Sequence, residues 1–389
     1  MELYSKQKQI KAVVIGSADV IKLCVIRAIG SLGCDVDVVH LGSPKRIKPI
    51  DFYSKYVSNY YFTKRGSLVN LLLEKYKASN TKPILFTLDD SSTFLVDESR
   101  EELSAFFQFA HLLNNQPLAV MMNKHLLKMT ASEAGMKVAD GWPIPFEDGE
   151  FKLPKGIKYP CFIKGLHSFY VSKGVQCRCD SEKELLHFLD ICKMKYPHPV
   201  YAEEFIPIET EFGVIGVSDG TNCIIPAKAE LIEMGKGSTN GVSMLGKVSP
   251  IKDTVLLKQI ESLLNDIHYV GIFNIDFVES QGQVYFVELN FRFAAYGYGV
   301  FCAGCNIPAI FVNMLNNNKD KHLQNSIDNS GYYLNEKIAL INFIEGNIRL
   351  KKYKELRNMA DYTMVRNKKD SKPFRMFLVT MGLKLLKRK

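Results

Sequence analysis

No stretch of the 389 residues approaches the ~18–20 consecutive apolar residues that a helix needs to cross a bilayer, so no transmembrane span is expected. The beginning, Met1-Glu-Leu-Tyr-Ser-Lys-Gln-Lys-Gln-Ile10, lacks the apolar segment and small-residue cleavage site of a secretory signal, which points to the cytoplasm. Metal-spaced cysteines are missing too. The nine cysteines are odd in number and scattered, and the two close pairs, Cys177-x-Cys179 and Cys302-x-x-Cys305, have no histidine or second pair at finger spacing. Reduced thiols packed as small hydrophobes are expected, not disulfides or zinc. Excess positive charge is absent from most of the chain. Residues 1–348 hold 36 Lys and Arg against 38 Asp and Glu, while residues 349–389 hold 14 against Glu355, Asp361 and Asp370. The net charge of +9 therefore belongs to the tail, which argues against a whole-chain nucleic-acid binder.

What remains is an ordinary globular composition in a chain long enough for two or three domains. Lys11 to Ile15 reads as a buried strand, Gly16-Ser-Ala-Asp19 as a tight turn, Val20 to Leu32 as a helix ended by Gly33, and Val36 to Val39 as a second strand. This is a β-α-β unit of the doubly wound kind. Only Gly16 occupies its turn and His40 follows its second strand, so the dinucleotide fingerprint fails and a dinucleotide-dependent oxidoreductase is disfavoured. Pro83 to Asp90 reads as a further strand with acids at its carboxyl end, Glu101 to Leu113 as a helix, and the first domain closes near Leu118. A helix over 123–138 stops at Gly135, Trp142-Pro-Ile-Pro145 is an extended connection, and Tyr159 to Gly165 is a strand carrying Lys164. A polar loop at 167–174 follows, then a β-rich segment over 200–250, a helix from Pro308 to Leu315, a polar linker at 316–322 and the basic tail.

The densest chemistry lies in Gly271-Ile-Phe-Asn-Ile-Asp276-Phe-Val-Glu-Ser-Gln-Gly-Gln-Val-Tyr-Phe-Val-Glu288-Leu-Asn290-Phe-Arg292. Residues 272–278 and 284–290 alternate as strands, with Ser280-Gln-Gly-Gln283 as the turn. A turn near residue 281 brings Asp276 toward Glu288, and the period of two puts Glu288 and Asn290 on one face. Two carboxylates and an amide suit Mg²⁺, which completes its octahedron with water and phosphate oxygens. The two acids alone would equally suit a solvated hairpin face; Asn290 and Arg292 favour the cradle. Earlier in the chain, Lys164 at the end of an apolar strand either snorkels to solvent or meets an anion. The run Glu203-Glu204-Phe205-Ile206 offers an apolar slot with backbone hydrogen bonds for a purine, and Glu211 a carboxylate for a ribose diol.

The order Lys124, Lys164, polar loop, Glu203-Glu-Phe-Ile206, Glu211, then Asp276, Glu288 and Asn290 resembles the ATP-grasp ligases over residues 1–315. The resemblance implies an α/β chain, α+β overall. Its parts would be a doubly wound first domain (1–118), a small ATP-grasp lobe (119–198), a large lobe with the metal site (199–322) and a basic C-terminal extension (323–389). It further implies that Lys124, Lys164 and Gly174 contact ATP phosphates, that residues 203–206 hold adenine, and that Glu211 binds ribose. Asp276, Glu288 and Asn290 would hold Mg²⁺, with Mn²⁺ a substitute, while Arg292 and Lys164 steady the transferring phosphoryl group. The beginning, including Ser54-Lys-Tyr-Val57, is most similar to carbamoyl-phosphate-synthase-like and D-aspartate-ligase-like members. A carboxylate–amine ligase acting through an acyl-phosphate is the implied activity, on an amino acid or cell-envelope precursor. An ATP-binding protein without ligase activity is the alternative.

The chain departs from the family pattern in three places. Asn123 stands where an Asp often precedes the lysine, the loop at 167–174 keeps only Gly174, and Ala294-Ala295 replaces paired glycines. The loop at 230–241 is the candidate lid over the acceptor. Partners are expected to be small-molecule carboxylate and amine substrates, not nucleic acid, with a homodimer left open. In the tail, Phe374, Phe377, Leu378, Met381 and Leu385 share a helical face beside terminal lysines, which suits docking on the protein, peripheral membrane contact through 373–389 or an anionic partner.

Overall fold

A computed structural model describes residues 10–44, 47–170, 175–236, 243–316 and 323–386, with side chains described as far as residue 382. Its first sheet is wholly parallel, in the spatial order Val57–Thr63, Asp35–Leu41, Lys11–Gly16, Ile84–Thr87. Alternation explains why both faces are covered. Ala12 and Val14 pack toward the helix Asp19–Gly30, while Val13 and Ile15 pack toward Leu68, Leu72 and Val96 on the opposite face. This is the doubly wound arrangement expected of the first β-α-β unit. The winding reverses between Lys11–Gly16 and Ile84–Thr87, so their carboxyl ends flank the crevice where open sheets of this kind carry ligands.

The expected helix from Glu101 to Leu113 does not form. A short helix Arg100–Leu103 is followed by extended chain, because Phe107 and Phe109 are buried at alternate positions, a strand period. Gln108 bridges to Ile84, and His111–Leu112 pairs with Tyr269–Val270 of the large sheet.

A second sheet of four antiparallel strands runs Cys177–Cys179, Cys161–Gly165, Val200–Glu204, Gly141–Ile144. The segment expected as an extended connection, Trp142–Pro145, is thus mostly an edge strand, where Pro143 needs no ladder donor. Cys161, Ile163 and Ala202 face the helix Glu182–Lys195, which leaves Lys164 and Glu203 on the opposite face. The third sheet has nine strands. Thr210–Asp219, Cys223–Met234, Ser243–Ser249, Tyr269–Ser280 and Gln283–Asn290 form its body, and short strands from elsewhere in the chain extend its edges.

The basic tail is woven into this body. Gly331–Leu334 pairs with Ser243–Ser249, and Tyr362–Thr363 pairs with Gly331–Leu334. In the helix Lys372–Leu386 the apolar face consists of Phe374, Phe377 and Met381, packed into the core shared with Asp19–Gly30; Leu378 lies outside it, half exposed. That face is turned onto the protein. Among the described residues no helix is long and apolar enough to cross a membrane. The buried Arg27 clamps the same segment: its Nε donates to Asp370 Oδ2 at 2.9 Å, and its Nη groups donate to the carbonyls of Met364, Val365 and Asp370. Asp370 also accepts from Ser54 Oγ and the Lys55 amide. Replacing Asp370 by Ala strands the guanidinium in the interior, and the expected loss of stability by urea denaturation is about 3–5 kcal/mol. A surface salt bridge would cost under about 1 kcal/mol in the same measurement.

Candidate functional site

The hairpin Tyr269–Ser280/Gln283–Asn290 turns through Gln281 and Gly282, both with positive φ, as two-residue loops that match the strand twist require. From that turn the ladder runs Ser280 to Gln283, Val278 to Tyr285 and Phe277 to Phe286. Continued without change, it would set Asp276 opposite Val287 and send Glu288 to the far face. The register instead shifts after Phe277, and Asp276 pairs with Glu288, Ile275 with Leu289, Asn274 with Asn290. This bulge puts Asn274, Asp276, Glu288 and Asn290 on one face while Ile275 and Leu289 enter the core beneath.

Asn290 Nδ2 donates to Asp276 Oδ2 at 3.1 Å and to Asn274 Oδ1 at 3.2 Å, leaving Asn290 Oδ1 to accept from Arg292 Nη2 at 3.2 Å. Arg292 is held further by its Nε on Asp90 Oδ1 at 2.6 Å and by its carbonyl, which accepts from Asn274 Nδ2. Burial and the neighbouring Glu288 carboxylate push the Asp276 carboxyl up to about 7. Glu288 goes the other way. Burial opposes its charge, but Lys124 and Lys164 prevail and hold it at about 2.

Lys124 opens the helix Lys124–Glu133, whose N-cap Asn123 accepts from the amides of His125 and Leu126. Asn therefore serves as the cap where an Asp was noted as the family's usual residue. Lys124 Nζ lies 2.6 Å from Glu288 Oε1 and 2.9 Å from Ser168 Oγ. Lys164 is buried on the small sheet with its Nζ 2.8 Å from Glu203 Oε1, and Lys128 Nζ lies 2.5 Å from Glu203 Oε2. Glu203 is thus a shared counter-ion for two lysines. Burial and the Lys164 charge lower the Lys128 ammonium to about 8. The amides of Glu204 and Phe205 donate to the carbonyls of Asp140 and Pro160, so these two donors are committed to the fold, and Arg178 covers the Phe205 ring. Glu211, its carboxyl raised by burial, opens on a cleft of about 490 Å³ with Thr210, Lys228, Glu230, Leu231 and Met234. Gly174 and the far part of the candidate lid, residues 237–241, lie outside the described residues. Ala294 is buried, and two residues on Tyr296 sets its hydroxyl against Gly213, where any β-carbon would collide with it.

Residues 129–305 match the family model described as the ATP-grasp domain. The chain contains an ATP-grasp domain. Solved structures share the whole arrangement at low identity. N5-carboxyaminoimidazole synthetase from Staphylococcus aureus superposes with a TM-score of 0.63 at 15% identity, covering 88% of this chain and 87% of its own. Biotin carboxylase from Campylobacter jejuni gives 0.62 at 15%, covering 83% and 75%, and L-amino acid ligase from Bacillus licheniformis gives 0.59 at 14%, covering 84% and 80%. At this identity the likeness establishes the fold.

Around this hairpin, sequence reasoning missed the contacts of Lys128, Asn274, Ser168 and Asp90. Lys128 follows Lys124 by one helical turn and Asn274 precedes Asp276 by two strand positions, so periodicity carried both signals. Asp90 meets Arg292 across 202 residues and left no local trace. Changing Glu203 to Gln leaves Lys128 and Lys164 facing each other without their anion. Stability measured by urea denaturation should fall by about 3–5 kcal/mol, and a midpoint equal to wild type would show that Glu203 is not their counter-ion.

Proposed function

We propose that the protein is an ATP-dependent carboxylate–amine ligase that requires a divalent cation. One observation carries the reading: Lys124 holds Glu288 and Arg292 holds Asn290 two positions further along the same strand, so two cations and a set of hard oxygens meet on one edge of the hairpin. That arrangement fits phosphoryl transfer, where the protein mainly positions groups and neutralises charge. Asp276, Glu288 and Asn290 would hold Mg²⁺. The fit rests on Asp276, whose carboxyl is driven up by burial beside Glu288, a like-charge contact that a cation relieves. No cluster of three or more His, Cys, Asp or Glu occurs among the described residues, so this set needs phosphate and water oxygens to complete a shell, as Mg²⁺ prefers. Bound there, the ion would screen the γ-phosphate and make it the better electrophile.

The residues then divide the work. Lys164 and Lys124 bring ammonium groups to the phosphate chain, each beside a protein carboxylate that holds it in place. Arg292, fixed by Asp90 and Asn290, meets the charge that builds on the transferring phosphoryl group. A substrate carboxylate oxygen attacks the γ-phosphorus, ADP leaves, and an amine displaces phosphate from the acyl-phosphate to give an amide. Glu211 and its cleft are the ribose side of this reading. The L-amino acid ligase among the structural neighbours supports an amino acid as one substrate, with a cell-envelope precursor the other class to screen.

The test is phosphate release from Mg-ATP across a panel of carboxylic acids and amines, with Glu288→Gln as control. Release should require both substrates, fall by on the order of 10²–10³ in Glu288→Gln, and stop with EDTA. Mg-ATP binding with no pair supporting release would favour an ATP-binding protein of this fold without ligase activity.

A further inference from the structure

The first-domain helix Asp90–Glu98 touches three separate parts of the ATP-grasp site. Asp90 Oδ1 accepts from Arg292 Nε at 2.6 Å. Phe94 stacks on Phe169 of the glycine-poor loop, ring centroids 4.1 Å apart and planes 13° from parallel. Asp97 Oδ2 accepts from the Ala119 amide at 3.1 Å, at the start of the short helix Leu118–Met121 that leads into Lys124. Positions 90, 94 and 97 follow the i, i+4, i+7 spacing of a single helix face. Another face of the helix is bound to the first sheet, through Val96 in the core and Thr93 Oγ1 on Thr87 Oγ1. Its start is fixed as well: Asp89 caps it in a capping box with Ser92, and the other Asp89 oxygen takes the amide and hydroxyl of Ser17.

We propose that Asp90 and Phe94 are positioning residues of the nucleotide site, Asp90 orienting Arg292 on the terminal phosphate and Phe94 holding the 167–170 loop beside the phosphate chain. The inference rests on the ATP reading above. It gives the loop a physical substitute for its missing glycines. A glycine-rich loop can lay its amides on phosphates because its backbone is free. Here Ser168 reaches Lys124 and Glu288 just ahead of two aromatic anchors, Phe169 on Phe94 and Tyr170 stacked on His198 at 4.0 Å. Rigid rings fix the loop at small entropic cost, since each has few side-chain torsions to lose.

The two residues should fail differently. Asp90 acts only through Arg292 and so concerns the third phosphate, whereas Phe94 acts through a loop that serves the whole phosphate chain. Calorimetric titration with Mg-ADP and with the non-hydrolysable triphosphate analogue AMP-PNP plus Mg²⁺ separates them. Asp90→Asn should weaken AMP-PNP about tenfold, the worth of a hydrogen bond between charged groups, and leave ADP within about twofold. Phe94→Ala should weaken both nucleotides by about three- to tenfold, and Phe94→Tyr should restore them. Thermal midpoints recorded alongside identify any variant that is merely unfolded, in which case Asp90→Asn and Phe94→Tyr still decide the matter. Equal loss of both nucleotides in Asp90→Asn, or wild-type binding by Phe94→Ala, overturns the assignment. Wild-type protein that binds neither nucleotide overturns the ATP reading itself, a different and recognisable result.

Discussion

One extra residue in the strand Gln283–Asn290 determines whether this protein has a site. The register shift between Asp276 and Phe277 lets Phe286 and Leu289 both reach the core while Glu288 and Asn290 reach the opposite face. Simple alternation cannot do both. The contacts of Lys124 with Glu288, of Arg292 with Asn290, and of Asn290 with Asp276 and Asn274 all presuppose that shift. A bulge costs a ladder hydrogen bond and adds local twist, and here the return is a polar face laid over an aromatic core.

Around that edge, charge is handled by pairing. Glu203 sits between two lysines, Glu288 against a third, and Asp90 against Arg292. Each cation of the site is thereby kept in a defined place by a carboxylate anchored on a different element: the small sheet for Glu203, the hairpin for Glu288, the first domain for Asp90. Buried pairs of this kind contribute little net stability compared with apolar packing, yet breaking one is expensive. They serve to fix geometry.

Patterned parts of the molecule were legible in the sequence. The buried alternation of Lys11–Gly16, the hairpin with its Gln-Gly turn and the acid-amide set of Asp276, Glu288 and Asn290 followed from short-range periodicity, as did Lys164 on its strand. What escaped was long-range or irregular. The bulge has no signature apart from its consequence, although the correct pairing of Asp276 with Glu288 depends on it. Phe107 and Phe109 looked helical with their neighbours but obey a strand period once Pro83 and Ile84 supply partners for Gln108 between them. The pairing of the Glu203 side chain with two lysines was hidden as well, because it depends on the cross-strand register and on Lys128 approaching from another helix. The short strands Gly331–Leu334 and Tyr362–Thr363 carry too few residues for any pattern, so the tail read as an appendage.

The Arg27 clamp joins distant parts of the chain in time as well as in space. The helix Asp19–Gly30 leaves the ribosome well before Asp370, which follows Arg27 by 343 residues, at typical elongation rates roughly 20–70 s. Throughout that interval the guanidinium has none of its eventual acceptors, and the face of the helix that will receive Phe377 and Met381 is uncovered. Packing of this helix is therefore completed only when residues 364–381 arrive. Until then the nascent chain carries an apolar helix face with an unpaired arginine on it, which that later segment covers.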